Sequence, residues 1–358
     1  MKKILLVDDS ALMRRVLSDI INADGRFSVE DEAVNGAEAL ELLKKKTYDA
    51  VVLDVNMPKM NGLELLKELR NLNIKARVLM ASTVTQEGSK ITLDALELGA
   101  LDFIHKPDWS YKCKDEMFKV ELLGTLEAVC NSKIPEAKAP AVKVNTVKIV
   151  DIVKKSTKRV TGSKIVAMAV STGGPKALQS VIPFLPAALD APVVLVQHMP
   201  EGFTESFADR LNKISEIKVV EGKEGEYIEK GCVYIAKAGY HLNLVRDKNR
   251  MKIHYSQEAY REGVRPCANY MYESLVDSPY DEVLGVVMTG MGADGAEGLK
   301  NLKNSNQSVY VITQDGDSCV VNGMPKACVK AGVSDVSVTL NQIAQEIILR
   351  VGVKADGC

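Results

Sequence analysis

Three residue types that together make a hydroxyl nucleophilic stand at the ends of apolar runs in the second half of the chain. Ser171 follows KIVAMAV, His198 follows VVLVQ, and Asp294 lies in the Gly-rich turn after VVMTG. An unassisted serine hydroxyl is a poor nucleophile at neutral pH. It needs an imidazole to take its proton and a carboxylate to orient that imidazole and stabilise its cation. Ser171 opens STGGP, a tight turn into a helix, where Gly173 and Gly174 allow close backbone approach and unpaired N–H groups face the site. TGMGADG is a second such loop, and a backbone N–H near Met291 is the expected oxyanion donor for a tetrahedral intermediate. The chemistry expected is ping-pong acyl transfer: Ser171 forms an acyl-enzyme, His198 protonates the leaving group, and water releases the carboxylate. No cofactor is expected in that hydrolysis.

A second polar set lies in the first half. One apolar run ends in Asp8 and Asp9, AVVLD ends in Asp54, RVLMAS ends in Ser82, and LDFIHKP delivers Lys106. If these runs are parallel strands, their carboxyl ends open onto one edge and the polar groups converge there. Adjacent carboxylates are costly unless a cation holds them, and Mg²⁺ commonly binds through a few carboxylates plus phosphate oxygens and water. The expected chemistry is phosphorylation of Asp54, with Mg²⁺ held by Asp8, Asp9 and Asp54, and with Lys106 and Ser82 on the phosphoryl oxygens.

Other chemistries fit less well. STGGP lacks the Lys-Ser/Thr of a P-loop and the spacing of a dinucleotide fingerprint. It also departs from the G-x-S-x-G elbow of α/β-hydrolases, because Ala169 stands at the first glycine and the order is Ser, His, Asp. Met57, Met60, Met80, Met288 and Met324 lie beside apolar runs and are read as core fillers, and the lysines at 44 to 46 as a solvated helix end.

The elements that must position these residues follow from the patterning. Up to about residue 125, short apolar runs alternate with amphipathic stretches: ILLV with SALMRRVLSDI, AVVLD with GLELLKELR, RVLMAS with KITLDALELG. That alternation predicts a parallel sheet covered by helices, and it returns from Lys164 with KIVAMAV, PVVLVQ and EVLGVVMTG. The fold class expected is α/β with two doubly wound parallel-sheet domains, over 1–125 and 163–352, joined by a linker over 126–162. The stretch CVYIAKAGYHLNLVRDKNRMKIHYS reads as short strands forming an antiparallel edge of the second sheet.

Length and composition agree. A chain of 358 residues favours two cores. Its 46 basic side chains against 47 acidic ones leave no electrostatic footprint for nucleic acid. The seven cysteines form no C-x-x-C pair, so neither a disulfide framework nor a zinc site is indicated. No stretch is read as a signal peptide or a membrane span, and a cytoplasmic setting without membrane insertion is expected.

Through LLVDDS, LDVNMPKMNG and HKP in order, the first segment resembles the receiver domain of bacterial response regulators, a flavodoxin-like fold. In that resemblance Phe103 takes the aromatic position that registers phosphorylation, whereas His105 is expected in a loop. STGGP, VQHMPEGFTESFADRLN, TGMGADGAEGL and QDGDSCVVNGMPKA resemble the Rossmann-like catalytic domain of the chemotaxis protein-glutamate methylesterases over about 163–350. By that resemblance Ser171, His198 and Asp294 fall on the family's triad and Met291 on its oxyanion-hole residue. It further implies demethylation of glutamate methyl esters, and deamidation of certain glutamines, on methyl-accepting chemotaxis receptors. The chemotaxis histidine kinase is the implied phosphodonor, and phosphorylation of Asp54 is expected to shift the receiver between covering and uncovering the cleft.

The chain departs from the family's usual residues at Ala169-Val170, where Gly-Ala is usual, at Lys237-Ala238, where Pro-Gly is usual, and at Cys267 and Asn269, where Ser and Asp are commoner. None of these is expected to touch the triad. Two rival readings are a receiver joined to a non-catalytic docking module and a receiver joined to a transcription factor. The intact triad argues against the first, and an α/β second half of near-neutral charge against the second.

Overall fold

The computed structural model describes residues 1–82, 86–106, 116–132 and 162–354, without the side chains of 86–90 and 117. The chain divides into two compact units, Met1–Pro140 and Ala141–Cys358.

In the first unit, strands β1 (Lys2–Val7), β2 (Phe27–Ala33), β3 (Ala50–Asp54), β4 (Val78–Ser82) and β5 (Asp102–His105) form one sheet in the order β2-β1-β3-β4-β5, with every pair parallel. All five residues of β3 and of β4 are buried, as expected of strands covered on both faces. The covering helices are α1 (Ala11–Ala23), α2 (Gly36–Lys45), α3 (Gly62–Asn71), α4 (Gln86–Leu98) and α5 (Glu116–Asn131). Helix α1 turns Met13, Leu17, Ile20 and Ile21 inward, one face at helical spacing, and its start is capped by the Ser10 hydroxyl accepting from the Met13 amide. Lys44, Lys45 and Lys46 are exposed at the end of α2. Helix α5 continues to Asn131, so ordered structure passes the boundary expected at 125; residues 133–161 of the expected linker lie outside the described residues. His105, expected in a loop, is the last residue of β5.

The second unit is built on seven strands in the order β14-β13-β12-β6-β7-β9-β8, again all parallel. They are β6 (Lys164–Val170), β7 (Val193–Gln197), β8 (Lys218–Glu221), β9 (Cys232–Ile235), β12 (Glu282–Val287), β13 (Val309–Gln314) and β14 (Val336–Val338). The helices are α6 (Gly174–Gln179), α7 (Thr204–Ile214), α8 (Ala268–Glu273), α9 (Ala296–Lys303), α10 (Met324–Lys330) and α11 (Leu340–Val351). The core joins Ala167, Ala169, Val194, Val196, Val283 and Val287 of the sheet to Met271, Leu275, Leu299 and Leu302 of its cover. Tyr272 is wholly buried there and donates its hydroxyl hydrogen to the carbonyls of Ala167 and Val286, tying the two central strands together. Of the five methionines read as core fillers, Met80, Met288 and Met324 are buried, whereas Met57 and Met60, in the turn between β3 and α3, are only partly buried.

The antiparallel pair exists, but not at a sheet edge. Strands β10 (His241–Asp247) and β11 (Arg250–Ser256) form a separate two-stranded sheet, while CVYI is β9, a parallel strand inside the main sheet. Short strands of one apolar pattern do not reveal their direction, because side-chain alternation is the same in either.

Candidate active site

Register places the candidate hydrolytic residues. Strand β6 pairs with β7 so that Val170 faces Gln197, and the next residues on each strand are Ser171 and His198; the His198 amide donates to the Val170 carbonyl at 3.1 Å. On the other side of β6 lies β12, whose last pairing sets Val287 against Ala169, and the turn beyond it carries Asp294. All three residues therefore sit at the carboxyl ends of adjacent central strands, where the strand order reverses.

His198 Nε2 and Asp294 Oδ2 are 2.8 Å apart. Asp294 is only 2 % exposed. Three further donors reach its carboxylate: the Ala268 amide at 2.6 Å on Oδ2, and the Asn269 amide and the Cys267 thiol, each at 3.0 Å, on Oδ1. Burial pushes this carboxyl up, but the bonds from His198, Cys267 and Ala268 outweigh it and hold the group below its ordinary value. Ser171 Oγ has no hydrogen-bond partner among the described residues, so the Ser–His bond is not made in this conformation. Such contacts are often completed only when substrate is bound. With Nε2 donating to Asp294, Nδ1 is the ring nitrogen left with a lone pair.

Two glycine contacts shape the turn around Ser171. Gly173 has φ +74°, and a side chain at Gly174 would place its Cβ 2.0 Å from Gln197 Oε1. A Cβ on Gly290 would lie 2.7 Å from Ser171 Cβ. The Ser171 amide donates to the Thr289 carbonyl at 3.0 Å, and the Thr289 hydroxyl donates to the Thr172 carbonyl at 2.9 Å. Among the described residues no acceptor takes the Met291 amide, and the Met291 side chain is 41 % exposed. That leaves this N–H open to an acceptor from outside the described residues.

Several groups around the triad were either not singled out in the sequence or expected to lie away from it. Gln197 is buried and its amide donates to the carbonyls of both Ser171 (3.1 Å) and His198 (2.9 Å), bridging the two turns. Its place at a strand end was the available signal. Cys267 and Asn269 were expected not to touch the triad; both bond Asp294, because the loop leading into α8 folds under the Asp294 turn. The Asn269 side-chain oxygen also accepts from the Gly295 and Gly298 amides, at 3.0 and 2.7 Å. His241 accepts the Cys267 amide on Nδ1 at 3.2 Å and donates from Nε2 to the Ala259 carbonyl at 3.1 Å. Ala169 and Val170 are wholly buried in β6.

At the carboxyl edge of the first sheet, Lys106 Nζ lies 2.6 Å from Asp8 Oδ2 and 2.7 Å from Asp54 Oδ1. Carboxylate oxygens of Asp8, Asp9 and Asp54 all lie within 4.8 Å of one another, with Asp8 and Asp54 buried and Asp9 exposed. Burial pushes the Asp54 carboxyl up despite Lys106 beside it. A set of carboxylate oxygens at this spacing suits a small divalent cation such as Mg²⁺. Ser82 and Phe103 are buried at the ends of β4 and within β5, and the Lys106 amide donates to the Ser82 carbonyl at 2.8 Å.

Comparison with known proteins places each half of the chain in a known family. Residues 166–347 match the CheB methylesterase family and residues 4–111 the response regulator receiver domain. The protein-glutamate methylesterase/protein-glutamine glutaminase 1 of Syntrophomonas wolfei is 38 % identical over 97 % of this chain and 98 % of its own length. The protein of that name, without the numeral, from Bacillus subtilis is 39 % identical over 93 % and 94 %. The crystal structure of the Thermotoga maritima CheB methylesterase catalytic domain, 36 % identical, covers 52 % of this chain and 98 % of that one, with a TM-score of 0.50. No helix among the described residues is long and apolar enough to cross a membrane. With a receiver domain in front of a methylesterase domain and relatives alike over nearly the full length, the chain belongs to the protein-glutamate methylesterase/protein-glutamine glutaminase family.

Proposed function

We propose that this chain is a phosphorylation-activated serine hydrolase that demethylates glutamate methyl esters, and deamidates glutamines, on chemoreceptor cytoplasmic domains in chemotactic adaptation. The observation that carries the reading is the 2.8 Å His198–Asp294 bond at a sheet edge where Ser171 and His198 end adjacent strands. Ser171 Oγ attacks the glutamyl carbonyl as His198 Nδ1 takes its proton, and Asp294 stabilises the imidazolium through Nε2. The Met291 N–H, which has no other acceptor among the described residues, donates to the developing oxyanion. His198 returns the proton to methanol or ammonia as it leaves. A water, deprotonated by the same imidazole, then attacks the acyl-enzyme and frees the glutamate carboxylate.

In the receiver, Asp54 accepts the phosphoryl group, and the chemotaxis histidine kinase is the donor. Asp8, Asp9 and Asp54 would hold Mg²⁺, which when bound neutralises charge on the phosphoryl oxygens. Lys106, now shared between Asp8 and Asp54, would turn to those oxygens together with Ser82, and Phe103 would register the change. The receiver domain runs over about 1–125 and the hydrolase domain over 163–352, joined by a linker over 126–162 into whose first residues α5 extends, and the setting is the cytoplasm.

The test is methanol release from a methyl-labelled receptor cytoplasmic fragment by wild type and Ser171→Ala, each with and without a small-molecule phosphodonor and Mg²⁺. Release that is stimulated by the donor and abolished in Ser171→Ala is expected. A folded, phosphorylated wild type that releases no more than Ser171→Ala refutes the reading.

A further inference from the structure

We propose that Cys267 is a positioning residue of the hydrolase: its thiol donates to Asp294 Oδ1 and so fixes the carboxylate plane in which Oδ2 meets the His198 imidazole. The inference rests on the hydrolase reading above and extends it to a residue outside the triad.

The geometry carries it. Each oxygen of Asp294 receives two donors, His198 and the Ala268 amide on Oδ2, and the Asn269 amide and the Cys267 thiol on Oδ1. Two of these four are amides of one short backbone stretch that begins at Cys267. A carboxylate gripped from one side by two backbone donors can still rock about its Cα–Cβ and Cβ–Cγ bonds. The thiol arrives from a side chain, at 3.0 Å, and is the only non-backbone group besides His198 that the described residues bring to Asp294. Sulfur is a weak donor in the neutral case, but a bond to an ionised acceptor is stronger.

The thiol is itself held. Cys267 is 0 % exposed, so it has no path to act as a nucleophile on a protein substrate. Its backbone amide donates to His241 Nδ1 at 3.2 Å, and the buried His241 ring packs against Tyr270 at 4.6 Å between centroids. Burial and the neighbouring Asp294 charge push the thiol up, so it stays protonated and keeps its hydrogen for the carboxylate. Strand β10, which carries His241, is thus linked to Asp294 through Cys267.

Full-length Cys267→Ala and Cys267→Ser are to be assayed on the methylated receptor fragment, with thermal midpoints recorded for both. Loss of one donor to the orienting carboxylate is expected to lower kcat roughly 5- to 30-fold. KM should stay within about twofold, because the substrate does not touch this bond. Cys267→Ser, whose hydroxyl can make the same bond, should recover most of kcat. Infrared difference spectra of wild type minus Cys267→Ala should show one S–H stretching band shifted down from that of an unbonded thiol. Wild-type kcat in Cys267→Ala, or an equal loss in the Ser and Ala variants, overturns the proposal. An inactive wild type sinks the hydrolase reading instead; the infrared band then decides the contact alone, and its absence overturns it.

Discussion

A single methyl group added at Gly290 is the sharpest test of how tightly the proposed nucleophile is held. Gly290 does not need a positive φ, so alanine is acceptable to the backbone and the effect comes from space alone. The new Cβ would meet Met324 Sδ at 2.3 Å and Ser171 Cβ at 2.7 Å, the latter about 0.7 Å short of the 3.4 Å where ordinary contact begins. The Met324 side chain can rotate away, as an unbranched thioether does readily. Ser171 cannot move without its turn, because its amide is bonded to Thr289 and its carbonyl accepts from Gly174 (2.7 Å) and Gln197 (3.1 Å). Overpacking of this kind costs about 1–3 kcal/mol, which lowers the thermal midpoint by roughly 2–4 °C per kcal/mol for a domain of this size. Displacing a nucleophile by most of an ångström costs up to about 10²-fold in rate. Gly290→Ala should therefore lower methanol release roughly 10- to 100-fold in kcat, while the protein stays folded at 25 °C. Assays of the receptor fragment beside calorimetry separate the two effects. A variant with wild-type kcat and a lowered midpoint would show that Met324 and the backbone absorb the methyl, and that Ser171 is not confined as argued.

Asp54→Asn should abolish stimulation by a phosphodonor but leave basal hydrolysis intact, measured as methanol release with and without Mg²⁺ and donor; stimulation that survives refutes Asp54 as the acceptor. Glu282→Gln tests a network away from both sites, in which Glu282 bonds Lys164 at 2.5 Å and also pairs with Arg350. Burial raises the Glu282 carboxyl, but the bonds from Arg350 and Lys164 outweigh it and hold it below its ordinary 4.5. A lowered folded-state value means stability that is present above the unfolded value and lost as pH falls through the folded one. The variant should lose roughly 2–3 kcal/mol at pH 7, less than a fully buried pair because the Arg350 side chain is 41 % exposed. The gap between the two thermal midpoints should start to narrow as pH falls below the ordinary 4.5 and close only as it passes through the lowered folded-state value; a gap that does not narrow in acid would show that packing, not charge, is responsible.

Much of both sites was legible because one rule governs them: in parallel α/β sheets, ligands and chemistry gather at the carboxyl ends of strands. Asp8, Asp54, Ser82, Ser171 and His198 each follow an unmistakable buried run, so their convergence needed only the fold class. Gln197 obeys the same rule and was passed over beside the more reactive His198. The groups that hold Asp294 were beyond this reasoning. Cys267 and Asn269 lie at the start of α8, where the chain's path depends on the two-stranded sheet of β10 and β11, and nothing local in GVRPCANY says that it closes under a turn met later in the chain. The hairpin's own position was misjudged for the related reason that strand direction is set by tertiary neighbours. His105 looked like a loop residue beside Pro107, yet its pairing with Ser82 extends β5 by that residue.

The register between β6 and β12 also fixes when the proposed hydrolytic site can exist. These strands, neighbours in the sheet, are 118 residues apart at the Lys164–Glu282 contact. Parallel pairing at such separation forms late, since the closure entropy must be met before the contacts reward it. A chain emerging from the ribosome therefore exposes Ser171 and His198 long before the carboxylate that completes them. Until β12 enters between β6 and β13, the serine has no oriented base and the Met291 amide has no place at the cleft. Hydrolytic competence is thus withheld until the sheet's centre has closed, and its appearance during refolding is a direct clock for that event.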